Sequence, residues 1–272
     1  DKFTSAVERT SLVQIALDLA RAKSEQEASK AVRTTPATRR APRDAKYEPA
    51  QVLYKPDSTI LITEGDSAKN FGVAGLSVVG RKKFGIYPIR GKFLNVRGLS
   101  SKRIVENDEA RKLLQILGLS PNPKDNSEDL KLPYGRLMVL SDQDVDGTHI
   151  AALLINLVHV CAPGLLERKP DFVCRFATAL IRVRLPGTKQ ERGFYSEAEY
   201  DAFRRDRISR NLPTGTAKYY KGLGTSSAEL AKQYFSELRA NTIVLRYEGA
   251  ACSEASDLRF NQGRADDRNS LP

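Results

Sequence analysis

The sequence predicts an α/β fold, a parallel sheet flanked by helices with a smaller α+β annex. Three observations carry this. The runs TILIT (residues 59–63) and RLMVLS (136–141) are apolar and partly β-branched, as strands buried on both faces are. Each is followed at once by a helical pattern, DSAKNFGVAG after the first and THIAALLINLVHV (148–160) after the second, and strands alternating with helices imply parallel pairing. Beyond about residue 165 the apolar runs become short, namely FVCRF, LIRVRL, AKYY and TIVLRY, which suits an annex on the first sheet.

Taken in order, residues 4–31 read as a helix, with Val7, Leu12, Ile15, Leu17 and Leu19 at mixed three- and four-residue steps. Residues 34–49, TTPATRRAPRDAKYEP, hold three prolines and several arginines and read as an extended linker. This is a solvated loop or, alternatively, a basic segment that touches nucleic acid. The ordered core begins near Ser58. Asp66 or Ser67 caps the helix after the first strand, and residues 100–117 form one amphipathic helix. Capping boxes at Ser196 with Glu199 and at Ser226 with Glu229 start two helices of the annex. The resulting division is a helix at 1–33, a basic linker at 34–57, the α/β domain at 58–170 and the annex at 171–272.

Composition excludes several classes. Of 272 residues 40% are apolar and 28% charged, in the range of globular chains rather than disordered ones. No stretch reaches the roughly 18 apolar residues of a spanning helix, and DKFTSAVERT lacks a signal-peptide layout. Three cysteines without a CxxC pair argue against a disulfide framework or a zinc site, and for a reducing compartment. Lys and Arg outnumber Asp and Glu 44 to 33, giving a net charge of +11. That balance favours a polyanionic partner, nucleic acid before an anionic membrane surface.

Two acid clusters stand at the ends of the two strands. Glu64 follows the first strand in ITEGDSAK, and Asp142, Asp144 and Asp146 follow the later one in LSDQDVDGTH. The carboxyl edge of a parallel sheet is where ligands bind, so neighbouring strands would bring these carboxylates together. Two unit charges 4 Å apart repel by roughly 4 kcal/mol at an effective dielectric near 20, so such a site takes up protons or a cation. Hard oxygen donors in small number suit Mg²⁺, and the expected chemistry is metal-assisted phosphoryl transfer. An EF-hand fails, because its twelfth position is Leu153 and a strand precedes the loop. The plain alternative is a polar turn whose aspartates cap the next helix. That role suits Asp146, but leaves Asp142 and Asp144 unexplained.

Other phosphate motifs fail. Residues 75–80 have the outer spacing of a Walker A, but Arg81 and Lys82 replace its Lys and Ser/Thr, and Gly222-Leu223-Gly224 lacks a third glycine at Ser227. His149 and His159 fit packing roles better than metal ligation. From Arg81 to Arg103 there are eight cations and no acid, interleaved with Phe84, Tyr87, Phe93 and three glycines. Glycines permit close backbone approach and cations suit phosphates, so this stripe reads as a nucleic-acid face; an ordinary exposed ribbon is the alternative.

Together, ITEGDSAKNFGVAGLSVVGRKKFGIYPIRGKFLNVR, LSDQDVDGTHI and YYKGLGTS resemble the toprim region of type IIA DNA topoisomerases. GIYPIRGKFLNVR and DQDVDGTHI are closer to eukaryotic topoisomerase II than to gyrase. The resemblance covers about residues 60–268 and leaves 1–58 largely unmatched, as the tail of a transducer region plus linker. It implies a Rossmann-like toprim sheet and assigns roles. Glu64 binds Mg²⁺ and acts as general acid toward the leaving 3′ oxygen, then as base in religation. Asp142 is shared by two Mg²⁺ sites and Asp144 serves the second; Asp146 has no assigned role. Lys92, Asn95, Arg268 and Asn269 fall where the family touches DNA, although Asn269 stands where the family usually has Lys. The segment 161–176 also lacks the family's Trp, since the chain has none.

The function so implied is the Mg²⁺-binding part of a DNA cleavage–religation core, making transient double-strand breaks for strand passage in an ATP-dependent homodimer. The nucleophilic tyrosine would lie downstream of residue 272 and the ATP site upstream of residue 1. None of the ten tyrosines here is then the nucleophile, and the chain alone changes no DNA topology. The implied partner is double-stranded DNA, with no membrane, and the implied location is the nucleus, with a mitochondrial or viral source as the other openings. Rival readings are a free-standing toprim nuclease or primase, and a non-catalytic basic DNA-binding scaffold.

Overall fold

Strand β1 (Lys55–Glu64) runs through the middle of the main sheet, and its Ile60, Leu61 and Ile62 are all fully buried. Both faces of the strand are covered, which is why its apolar residues run consecutively instead of alternating. A computed structural model of the chain describes residues 12–32, 44–126, 130–188, 191–220 and 222–270.

The main sheet has the order β2-β1-β3-β4-β8, with β2 at Phe84–Ile89, β3 at Tyr134–Leu140, β4 at Val173–Phe176 and β8 at Thr242–Val244. The first four strands are parallel, and β8 closes the edge antiparallel to β4. The expected α/β architecture is therefore present. The chain leaves β1 for β2 on one side and later returns as β3 on the other. The strand order thus reverses between β1 and β3, and such a reversal opens a crevice at the carboxyl ends of the strands.

Helices cover both faces. Helix α1 (Leu12–Val32) precedes the sheet, and α2 (Gly65–Val79) joins β1 to β2. Helices α3 (Ser101–Glu106) and α4 (Asp108–Leu117) precede β3, and α5 (Val145–Cys161) and α6 (Pro163–Arg168) follow it. Ile60, Ile62, Leu137 and Val139 pack into one core with Leu113, Leu114, Leu154 and Leu157. Leu61, Met138 and Leu140 pack into a second core with Phe71 of α2 and with Tyr234 and Phe235 of helix α8 (Ala228–Ser236). At roughly 1.5–3 kcal/mol for each fully buried Ile or Leu, these two layers outweigh any surface ion pair.

A second, antiparallel sheet of order β6-β5-β7 (Glu191–Phe194, Ile181–Arg184, Thr216–Tyr219) is the annex. Helix α7 (Glu197–Ser209) packs on it through Tyr200, against Ile181, Val183 and Phe194. Helices α9 (Ala250–Phe260) and α10 (Ala265–Asn269) complete the described chain.

Several local expectations need correction. The segment 100–117 is two helices, because Asn107 leaves helical geometry and its side chain caps α4 by accepting from the Ala110 N–H at 2.9 Å. Glu64, not Asp66 or Ser67, occupies the cap position of α2, without a side-chain cap bond, and Asp66 instead pairs with Lys46 at 2.6 Å. Helix α8 is capped by Ser227 rather than Ser226, while Ser196 caps α7 as expected. Two runs assigned to the annex, FVCRF and TIVLRY, supply β4 and β8 of the main sheet.

Residues 1–11 and 33 of the expected first helix, and 34–43 of the expected linker, lie outside the described residues. Helix α1 is anchored by Ala28, Ser29 and Val32, whereas Ile15, Leu17 and Leu19 are exposed. The end of the linker segment is not solvated either. Tyr47 is buried with its hydroxyl 2.7 Å from that of Tyr134, and Glu48 bridges to Ile86.

Candidate acidic site and nucleic-acid face

The acidic site is built at the reversal point. Register pairs Thr63 of β1 with Leu140 of β3, so Glu64 and the loop that begins at Ser141 leave the sheet side by side. The Asp142 N–H points to Glu64 Oε2 at 3.4 Å. Asp144 caps α5, its Oδ1 accepting from the Gly147 N–H at 2.8 Å. Asp146 lies in the first turn of α5, where Lys92 Nζ approaches its Oδ1 to 2.9 Å. Asp142 Oδ1 accepts from the Leu223 N–H at 2.7 Å. The sheet thus brings Glu64, Asp142 and Asp144 to one edge, but the capping role expected of Asp146 falls to Asp144, so capping does account for Asp144.

The electrostatics of that edge are those of crowded like charges. Burial raises the proton affinity of Glu64 above its ordinary value, and the charges of Asp142, Asp144 and Asp146 push the same way. The Asp142 N–H offsets part of this. Two cations stand by them, Lys92 at Asp146 and Arg175 at the aspartate loop. Arg175 of β4 donates from Nη2 to the Asp142 carbonyl at 2.6 Å and from Nη1 to Thr148 Oγ1 at 2.9 Å. Burial disfavours the Arg175 charge, and Asp144 and Glu64 favour it.

Carboxylate oxygens in small number are the donor chemistry of Mg²⁺, which keeps several waters and needs only one or two protein carboxylates. Glu64, Asp142 and Asp144 carry donors of that kind at one sheet edge. Among the described residues, however, no group of three or more His, Cys, Asp or Glu side chains is arranged to hold a metal ion, so the donors would act two at a time. Asp142 and Asp144 each lend one oxygen to a main-chain N–H instead. A strand precedes the aspartate loop, as argued against the EF-hand.

The residues marked for DNA contact separate into two kinds. Lys92 is 59% exposed at the rim of the acidic site, and Asn269 is exposed at the end of α10. Asn95 faces inward. Its Nδ2 donates to the Phe260 carbonyl at 2.8 Å, and its Oδ1 accepts from the Arg97 N–H and from buried Asn156 at 3.1 and 3.0 Å. Arg268 closes the end of α9, donating to the Leu258 and Asn261 carbonyls at 2.9 and 2.7 Å. Both side chains hold α9 in place, one against α5 and one at its own last turn.

The basic stripe is also divided. Its centre is β2, with Tyr87 buried, and Phe93 follows in the core at 3% exposure, so two of its aromatics are structural rather than free to stack on bases. Arg81 pairs with Glu48, Lys83 with Asp57, Lys92 with Asp146 and Arg97 with Asp257. Lys82, Arg90, Lys102 and Arg103 have no acid partner within ion-pair distance among the described residues. The histidines pack, as expected. His159 Nδ1 accepts from Arg97 Nη2 at 2.8 Å, which leaves Nε2–H to donate to Ser253 Oγ at 3.0 Å, and His149 stacks on Phe260.

Sequence reasoning missed Arg175, and it quoted YYKGLGTS without finding that Leu223 reaches Asp142. The second had a signal, a glycine-rich motif with no role of its own. The first had none, because a lone Arg in a short strand reads as surface.

The geometry agrees with the comparisons. Residues 176–271 match the family described as the C-terminal associated domain of TOPRIM. DNA topoisomerase 2 of Plasmodium falciparum is 42% identical over 216 residues, covering 79% of this chain and 15% of that protein. Human DNA topoisomerase 2-beta is 43% identical over 214 residues, 78% of this chain and 13% of the relative. The crystal structure of the Plasmodium falciparum topoisomerase II DNA-binding, cleavage and re-ligation domain superposes with a TM-score of 0.75 at 39% identity, over 85% of this chain and 31% of that one. The chain thus spans about 15% or less of the length of the curated relatives it matches. No helix among the described residues is long and apolar enough to cross a membrane. By sequence and by fold the chain belongs with the type IIA DNA topoisomerases, as a toprim-containing segment of the eukaryotic topoisomerase II kind.

Proposed function

We propose that this chain contributes the acidic, Mg²⁺-dependent part of a DNA cleavage–religation centre within a longer type II topoisomerase. The observation that carries the reading is the meeting of Glu64 with the Asp142 main chain where the strand order reverses.

Asp142 and Asp144 would hold one or two Mg²⁺ ions together with Glu64. Bound there, Mg²⁺ supplies charge neutralisation for the phosphate and for the oxygen that leaves it. When its carboxylate does not carry Mg²⁺, Glu64 holds a proton more readily than an exposed carboxylate, which suits delivery to the leaving 3′ oxygen as the P–O3′ bond breaks. The same carboxylate takes that proton back when the 3′ hydroxyl attacks in religation. The new P–O bond of the broken state forms to a tyrosyl oxygen that the resemblance assigns to another part of the protein. The four cations without acid partners would meet DNA phosphates, Lys92 would join them where a phosphate displaces its Asp146 contact, and Asn95 and Arg268 serve the scaffold behind them. Homodimer assembly, ATP use and nuclear location belong to the same proposal and rest on the resemblance alone.

Glu64→Gln in the full-length protein tests it. The variant should keep its melting temperature and lose cleavage of supercoiled plasmid by at least about 10²-fold, the low end of what general acid–base groups contribute. Undiminished cleavage would overturn the assignment. Calorimetric titration of Mg²⁺ into the chain should show binding that Asp142→Asn removes.

A further inference from the structure

We propose that Asp142 is set in place from outside its own loop, with the Leu223 N–H and the Arg175 guanidinium as positioning groups and with Gly222 providing the space. The proposal rests on the reading above for the metal that Asp142 would hold, but its geometry stands apart from that reading.

Asp142 is gripped at three points. Its side-chain Oδ1 accepts from the Leu223 N–H at 2.7 Å, across 81 residues of sequence. Its carbonyl accepts from Arg175 Nη2 at 2.6 Å, across 33 residues. Its own N–H faces Glu64. Two glycines press on it. A Cβ at Gly222 would lie 2.5 Å from Asp142 Oδ2, and one at Gly147 would lie 2.1 Å from the Asp142 carbonyl oxygen. Gly222 has an extended φ of −167°, which any residue adopts, so space rather than backbone conformation requires glycine there.

Arg175 does more than neutralise. Its fork spans the Asp142 carbonyl and Thr148 Oγ1, tying the acidic loop to the first turn of α5. Its Nε is buried without a hydrogen-bond partner, so the guanidinium is held there although one donor goes unused. With Oδ1 fixed by an N–H, Oδ2 of Asp142 is left in one orientation. Donors that fix one part of a ligand in this way commonly account for about 10–100-fold in metal affinity. YYKGLGTS thereby acquires a role, and the C-terminal half of the chain becomes part of the acidic site.

The test uses the full 272-residue chain in two arms. In the first, without metal, the amide proton of Leu223 is followed by ¹H–¹⁵N NMR. Asp142→Ala should shift it upfield as its acceptor disappears, and an unmoved Leu223 amide would overturn the proposal. In the second, Mn²⁺ is titrated and followed by EPR. Gly222→Ala and Arg175→Gln should each weaken binding about 10-fold or more. Arg175→Lys, which keeps the charge but not the fork, should behave like Arg175→Gln. If Arg175 acted by charge alone, removing it would tighten Mn²⁺ binding; that result, or wild-type affinity in Gly222→Ala, would overturn the proposal. A wild-type chain that binds no Mn²⁺ would refute the metal reading while the Leu223 shift still decides the positioning. Should Gly222→Ala fail to fold, the amide shift and Arg175→Gln carry the test.

Discussion

The acid edge and the basic stripe are both dense in one sign of charge, yet the fold treats them differently. At the edge, Glu64, Asp142 and Asp144 are gathered, and among the described residues main-chain N–H groups and Arg175 compensate them, with Lys92 held at Asp146 beside them. Along the stripe, four of the eight cations are paired with acids that come from sequence up to 160 residues away. A surface pair is worth at most about 1 kcal/mol, so this pairing adds little stability. It does halve the charge left for a polyanion. Like charges kept together against repulsion point to a ligand, whereas a charge run read from sequence is only an upper bound on the charge a partner meets.

The sharpest way to break that contrast is Phe93→Ala. If Phe93 belongs to the core, urea denaturation should show a loss of about 3–5 kcal/mol, as for other buried Phe truncations. If it served to stack on bases, stability would stay and only DNA affinity would fall. The next effect is on salt dependence. Replacing Lys82, Arg90, Lys102 and Arg103 by Gln should flatten the log–log slope of DNA binding against salt by about 0.9 for each contact removed. The same change at Lys83 should leave the slope nearly untouched, because its partner Asp57 already neutralises it.

The smallest effect lies behind the stripe, at His159. Burial and Arg97 lower its proton affinity in the folded state. Below the ordinary value of 6.5 the unfolded chain takes up a proton that the folded chain resists. Stability should therefore fall as pH drops through that value, with a slope of at most about 1.4 kcal/mol per pH unit, and be fully present above it. Thermal melts between pH 8 and 5 should show this fall in the wild type and a flatter profile in His159→Gln.

Much of the main sheet was legible because β1 and β3 advertise burial on both faces, and because acids directly after such strands fall on the binding edge. Strand β2 was hidden, since Lys83, Arg90 and Lys92 surround a six-residue edge strand of which the fold buries five residues. The cap at Asn107 was hidden as well, because helical periodicity continues in phase across it while only its ψ of 114° departs. The grip on Asp142 could not be read at all. Leu223 contributes a main-chain N–H, which every residue but proline possesses, and only topology decides which one arrives.

The last strand of the main sheet has a consequence for how this polypeptide can be made and cut. Val173 and Cys174 take their outer partners from residues 244 and 245, so the flank of β4 lies open until the ribosome has passed that point. A recombinant boundary drawn before Thr242 would expose a ready template for intermolecular pairing. Soluble production therefore depends on where the gene is trimmed, even though every proposed Mg²⁺ ligand lies far upstream of that cut.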